Sequence, residues 1–161
     1  MKKIILVAGA TGNLGGKIVD ALLKNGAEVR AIVRQETNQE KIAKLAQKGV
    51  KIFMVDMDNK SQIVNACTGA DCVVSALAGL RDVIIDTQKI LLEAAIEAKV
   101  PRFIPSDYST DFTNLIEGQN RNLDLRREFH TYLVNVPIRA TTVFNGAFMD
   151  LLTARNAADF V

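Results

Sequence analysis

The feature that most restricts what this chain can fold into lies at its start. The apolar run Ile4-Ile5-Leu6-Val7 leads into Ala8-Gly9-Ala10-Thr11-Gly12-Asn13-Leu14-Gly15-Gly16, and an amphipathic run over 17–23 follows at once. Glycines spaced G-x-x-G-x-x-G between a strand and a helix form a dinucleotide-binding pattern. Each glycine has a physical task. Gly9 allows the tight turn off the strand, Gly12 lets the backbone approach a pyrophosphate, and Gly15 lets the helix pack on the strand. The opening amides of that helix, helped by its dipole, then face negative charge.

The remainder of the chain repeats the same alternation. Apolar segments predict further strands over 27–33, 50–55, 71–77, 102–104 and 138–144. Helical spacing is expected over 39–47, 61–67, 83–98 and 123–133, with 110–120 polar and irregular. Strict β-α alternation with mostly apolar strands implies an α/β fold: a parallel sheet covered by helices on both faces. The expected strand order is the doubly wound 3-2-1-4-5-6, in one domain over 1–161, with ligand held at the carboxyl ends of the strands.

Composition narrows the partners. A length of 161 residues suits one domain with a substantial core. A net charge of +2, with no basic cluster interleaved with aromatics, gives no ground for a nucleic-acid surface. No apolar stretch approaches the length of a membrane helix, so no membrane partner is expected. Cys67 and Cys72 stand five positions apart without a nearby histidine. They read as small core thiols in a reducing, cytoplasmic setting and not as a metal site. His130, the single histidine, reads as structural within its helix.

The strand ends carry the candidate chemistry. Arg34 follows the second strand, 19 positions beyond Gly15, where an acid would bind the ribose hydroxyls of NAD. A guanidinium there suits the 2′-phosphate of NADP, or is a solvated surface arginine; Arg30, on the same strand, is a possible helper. Asp56 ends the third strand, where its carboxylate can accept from an adenine amino group with Met57 against the ring, or can cap a helix. Asp58, three residues before Ser61, fits the capping position better. Ser75-Ala76-Leu77-Ala78-Gly79 ends the fourth strand with small residues across which a ribose and phosphates can lie, or forms a plain glycine turn.

Four marks then combine: Gly9 to Gly15, Val33-Arg34, Val55-Asp56-Met57-Asp58, and Pro105-Ser106-Asp107-Tyr108 after the fifth strand. With Asn122-Leu123-Asp124-Leu125-Arg126-Arg127 and Phe144-Asn145-Gly146-Ala147-Phe148, they resemble the NmrA-like and isoflavone-reductase-like branch of the atypical short-chain dehydrogenases over nearly the whole chain. The resemblance implies a Rossmann fold that favours NADP(H) over NAD(H). It assigns Gly9, Thr11, Gly12, Asn13, Leu14 and Gly15 to the pyrophosphate, Arg34 to the 2′-phosphate, and Asp56 and Met57 to adenine. It puts Ala76, Leu77, Ala78, Gly79, Pro105 and Ser106 along the path to the nicotinamide, and Asp107, Tyr108, Asn145 and Phe148 on the substrate side.

The sequence departs from that branch in two ways. The Tyr-x-x-x-Lys pair of ordinary short-chain dehydrogenases is absent: Phe112 stands four residues after Tyr108, and Val136 four after Tyr132. The branch's reductases carry a lysine in the helix after the fifth strand, and no lysine follows Lys99 here. Tyr108 remains as the candidate acid. Family members also continue beyond this length into a substrate domain, which is expected to be missing; an exposed apolar surface near the C-terminus, and self-association through it, follow as expectations. Two functions compete on these grounds. One is an oxidoreductase that reduces a small carbonyl, quinone or similar electrophile, with hydride chemistry belonging to the cofactor. The other is a non-catalytic, NmrA-like sensor that binds NADP and a protein partner. A dinucleotide fold without ligand is a third reading, against which the intact glycine turn argues.

Overall fold

Strand β1 (Ile4–Ala8) is the middle of the sheet, and its sequence explains why: Leu6, Val7 and Ala8 are all fully buried, on both faces of the strand. A computed structural model describes residues 2–149. In chain order the further elements are α1 (Asn13–Lys24), β2 (Glu28–Val33), α2 (Gln39–Gln47), β3 (Lys51–Met54), α3 (Lys60–Cys67) and β4 (Cys72–Ser75). A π-helical turn (Asp82–Thr87) then runs into α4 (Gln88–Glu97), followed by β5 (Arg102–Ile104), α5 (Arg121–Leu133) and β6 (Arg139–Ala140). The sheet is parallel throughout, in the expected order β3-β2-β1-β4-β5-β6.

The period of two along the strands divides the apolar residues between two cores. Leu6, Ala8, Val73 and Phe103 face one side, where α3, the π turn, α4 and α5 bring Ile63, Ile84, Leu91 and Phe129. Val7, Ala31, Val33 and Val74 face the other, against Val19 of α1 and Leu45 of α2. Buried strands of this kind need cover on both faces, and the crossover helices supply it.

Three local expectations are corrected. The sixth strand was expected over 138–144 but pairs only at Arg139 and Ala140. The Thr141 N–H still donates to Phe103 O at 3.0 Å, but β5 ends one residue further on and Pro105 has no N–H to extend the ladder. The single helix expected over 83–98 starts as a π-helical turn before it tightens into α4. The cap of α3 is Asn59, whose side chain accepts from the Gln62 N–H, and not Asp58. The 157–161 tail and any self-association through it lie outside the described residues; just before them, Val143, Phe144 and Met149 are exposed.

Candidate functional site

The glycine turn is held by contacts that only glycine permits. Gly9 has φ +81°, and a Cβ there would stand 2.4 Å from Ala76 O. A Cβ on Gly15 would stand 2.0 Å from Gly9 O. The Gly12 N–H donates to Gly9 O at 3.0 Å and closes the turn. Helices α2, α3 and α5 are capped by the side chains of Asn38, Asn59 and Asn120, whereas α1 opens on Gly12, which has no side chain to cap it. Among the described residues, then, no side chain caps the start of α1, where backbone amides favour an anionic group.

A cleft of about 640 Å³ lies along the carboxyl ends of the central strands. Gly9, Thr11 and Gly12 border it on one side, Ala76, Leu77 and Ala78 cross it, and Arg34, Asp56 and Met57 stand toward β2 and β3. Arg34 is exposed and, among the described residues, its guanidinium has no ion-pair partner. Asp56 is pinned by its own turn: its backbone N–H donates to Gln62 Oε1 at 2.9 Å, and its Oδ1 accepts from the Asp58 N–H at 3.0 Å. The Arg30 guanidinium is engaged at the end of α3. Its Nη1 donates to Ala66 O at 3.2 Å and Thr68 O at 2.7 Å, so it closes the C-terminal end of α3. Asp82, Val83 and Thr87 of the π turn also line the cleft. Sequence reasoning missed them because a π turn has no marked periodicity of its own.

A second cavity, of about 370 Å³, shares Gly12, Ala76, Leu77 and Ala78 with the first. Asn13, Leu14, Lys17, Ser106, Tyr108, Arg126 and Phe148 complete it. Lys17 was also missed; its place in the first turns of α1, two residues beyond Gly15, was the available signal. Ser106 joins the elements here. Its N–H donates to Oε1 of the buried Gln88 at 2.9 Å, its hydroxyl donates to Leu77 O, and its carbonyl accepts from Arg126 Nε at 3.1 Å. Gln88 in turn donates to Ile84 O at 3.0 Å, which ties the π turn to the end of β5.

Burial sets the protonation of the neighbours. It pushes the Tyr108 phenol up to about 12, with the Cys72 and Asp107 charges adding to the effect. It raises the Asp107 carboxyl to about 6, against the opposing pull of the Arg126 guanidinium and the Thr142 hydroxyl. Asp107 is fully buried: Oδ2 accepts from Thr142 Oγ1 at 3.4 Å, and Oδ1 has no hydrogen-bond partner among the described residues.

The other expected residues fall outside the lining of both cavities. Gly15 is buried beneath the turn, and Gly79 leaves room for Val83, which a Cβ would meet at 2.7 Å. Pro105 and Asp107 are buried, and Asn145 is exposed. His130 packs edge-on to Phe112 with ring centroids 6.1 Å apart, as a structural histidine does. Cys67 and Cys72 are buried free thiols, pushed up to about 12 and about 11 by burial. Among the described residues no group of acids, histidines and cysteines could hold a metal ion, and no helix is long and apolar enough to cross a membrane.

Over 97% of its length the chain is 29% identical to eugenol synthase 2 of Clarkia breweri, of which it covers 54%. Over 68% of its length it is 35% identical to the bifunctional pinoresinol-lariciresinol reductase 1 of Thuja plicata, covering 37% of that protein. The solved structure of AtPrR2 with NADP+ and (+)pinoresinol matches with a TM-score of 0.83 at 27% identity, over 92% of this chain and 51% of that one. An isoflavone reductase structure matches with a TM-score of 0.81 at 26% identity, over 99% and 54%. The chain thus spans about half the length of the relatives that it matches end to end. The model of the NmrA-like family matches residues 1–158, and with the strand order and glycine turn described above, this Rossmann-fold chain belongs to that family.

Proposed function

We propose that the protein binds NADP(H) and acts as an oxidoreductase on a small carbonyl, quinone or similar electrophile. The observation that carries this reading is the start of α1 at Gly12, which no side chain caps among the described residues, in a cleft that the exposed cation Arg34 also lines. The names of the relatives support it, since several are reductases and the AtPrR2 structure holds NADP+. In this reading Gly9, Thr11, Gly12, Asn13 and Leu14 hold the pyrophosphate, with Gly15 acting through its close packing. Arg34 holds the 2′-phosphate, and Asp56 and Met57 flank adenine. Ala76, Leu77, Ala78 and Ser106 form the floor toward the second cavity, where Tyr108 and Phe148 meet the substrate.

When bound, the nicotinamide supplies the hydride. The chain's own share is to orient the electrophile against an apolar wall and to offer hydrogen-bond donors to the oxygen on which charge develops. Tyr108, which keeps its proton at neutral pH, can donate such a bond. Parallel titrations with NADP+, NADPH, NAD+ and NADH test the cofactor, and NADPH oxidation against quinones and aldehydes tests the activity. Equal weak binding of the phosphorylated and unphosphorylated forms would sink the role of Arg34.

One observation favours a second reading, a non-catalytic sensor that binds NADP and a protein partner. Tyr108 pushed up to about 12 and the guanidinium of Arg126 are both poor proton donors at neutral pH. Tight NADP(H) binding without turnover of any electrophile would support the sensor over the enzyme.

A further inference from the structure

Arg126 reaches the wall of the second cavity with its orientation already set. Nε donates to Ser106 O at 3.1 Å and Nη1 to Asn122 O at 2.8 Å. Ser106 is itself fixed by the buried Gln88 and by Leu77 O. These bonds use two of the three guanidinium nitrogens and leave Nη2 out. Leu14, Leu77 and Phe148 give the cavity apolar walls, and among the described residues no carboxylate lines it. The acid that couples to Arg126 is Asp107, which is fully buried and outside the lining. A half-buried guanidinium of fixed geometry, in a cavity that Lys17 also lines and whose described lining holds no acid, is a fitting seat for an anionic oxygen.

We infer that the second cavity selects a substrate bearing a carboxylate, which Arg126 receives on Nη2 while the rest of the molecule lies against Leu77 and Phe148. The inference rests on the oxidoreductase reading for its word substrate, and on the geometry alone for the anion. The pyrophosphate of a dinucleotide is the other anion within this region, because Gly12, Asn13 and Leu14 line the same cavity.

Calorimetric titration of the full chain with cinnamate and with methyl cinnamate, each with and without saturating NADP+, separates these cases. Cinnamate should bind about tenfold more tightly than its ester, as a charge-assisted hydrogen bond requires. Arg126→Met should abolish that preference and leave NADP+ affinity within about twofold, whereas Arg126→Lys should retain part of it. Equal affinity for acid and ester in the wild type, or no binding of either, overturns the inference. So does an Arg126→Met variant, folded by thermal melting, that loses NADP+ affinity as much as cinnamate affinity; the guanidinium then serves the pyrophosphate. Should the Met variant fail to fold, the wild-type comparison and the Lys variant decide. If the wild type does not bind NADP+, the proposed function falls, and the titrations without NADP+ still decide whether Arg126 holds a carboxylate.

Discussion

Gly15 packs so closely on Gly9 that a single added methyl would stand 2.0 Å from the Gly9 carbonyl oxygen. That contact sets the distance of α1 from β1, and with it the shape of the turn between them. Gly15→Ala must shift backbone against backbone, at a cost of about 3 kcal/mol or more. Gly26→Ala is the control: φ there is +79°, but nothing lies within 4 Å of the new methyl. It should cost only about 1 kcal/mol, from the left-handed backbone alone. Denaturant melts of both variants check the contrast, and similar midpoints would show that the close contact is not a constraint.

The two arginines of β2 and its end should behave in opposite ways. Arg34→Glu should weaken NADP+ binding by tenfold or more, on the order expected for losing a charge-assisted contact and adding repulsion, with little change in NAD+ binding or stability. Arg30→Met should leave NADP+ affinity unchanged and lower stability by about 1–2 kcal/mol, because Ala66 O and Thr68 O lose their donor. Dinucleotide titration and a urea melt of each variant separate the roles, and a shift of cofactor preference in Arg30→Met would contradict the assignment.

Asp107 predicts a pH dependence of known sign. Its carboxyl rises from 3.8 to about 6 in the fold, so the folded chain holds this proton more tightly than the unfolded chain. The contribution is full below pH 3.8 and disappears as pH rises through about 6. A shift of that size corresponds to at most about 3 kcal/mol. Asp71 and Asp111 shift the other way, lowered by hydrogen bonds from Lys3 and Thr113, so total stability does not isolate the effect. The difference between wild type and Asp107→Asn does. Urea melts at pH 4 and pH 7.5 should show the wild type losing stability relative to the variant as pH rises, and a constant difference would refute it.

Gln88 should matter more than a lone amide in a helix. Gln88→Met keeps the volume but leaves the Ser106 N–H and Ile84 O without these partners in a buried setting. The expected cost is about 3 kcal/mol for the two groups together. Amide exchange at Ser106 should accelerate more than at Phe103, inside β5; equal acceleration at both would mean a general loosening instead of a lost clamp.

The order of the sheet and the turn at Gly9–Gly15 were legible because both follow from local pattern: apolar strands in strict alternation, and glycines where only glycine fits. What escaped depended on neighbours remote in sequence. Nothing local tells which way Arg30 points, since the carbonyls it meets belong to Ala66 and Thr68. The early end of β6 depends on a proline, Pro105, that follows the adjacent strand. Asn59 displaced Asp58 as the cap because the bend at Asp56–Asp58 occupies that stretch before α3 begins. For the site, the residues at the strand ends were readable from topology. The contributions of Asp82, Val83 and Thr87 were not, since they arise from a widened helical turn.

The two cavities meet over Gly12, Ala76, Leu77 and Ala78. A molecule that fills both chambers must lie across Gly12, Ala76, Leu77 and Ala78, three of which carry no side chain beyond a methyl group. A larger side chain at Ala76 or Ala78 would therefore act as a gate across the passage and leave each chamber to be filled on its own.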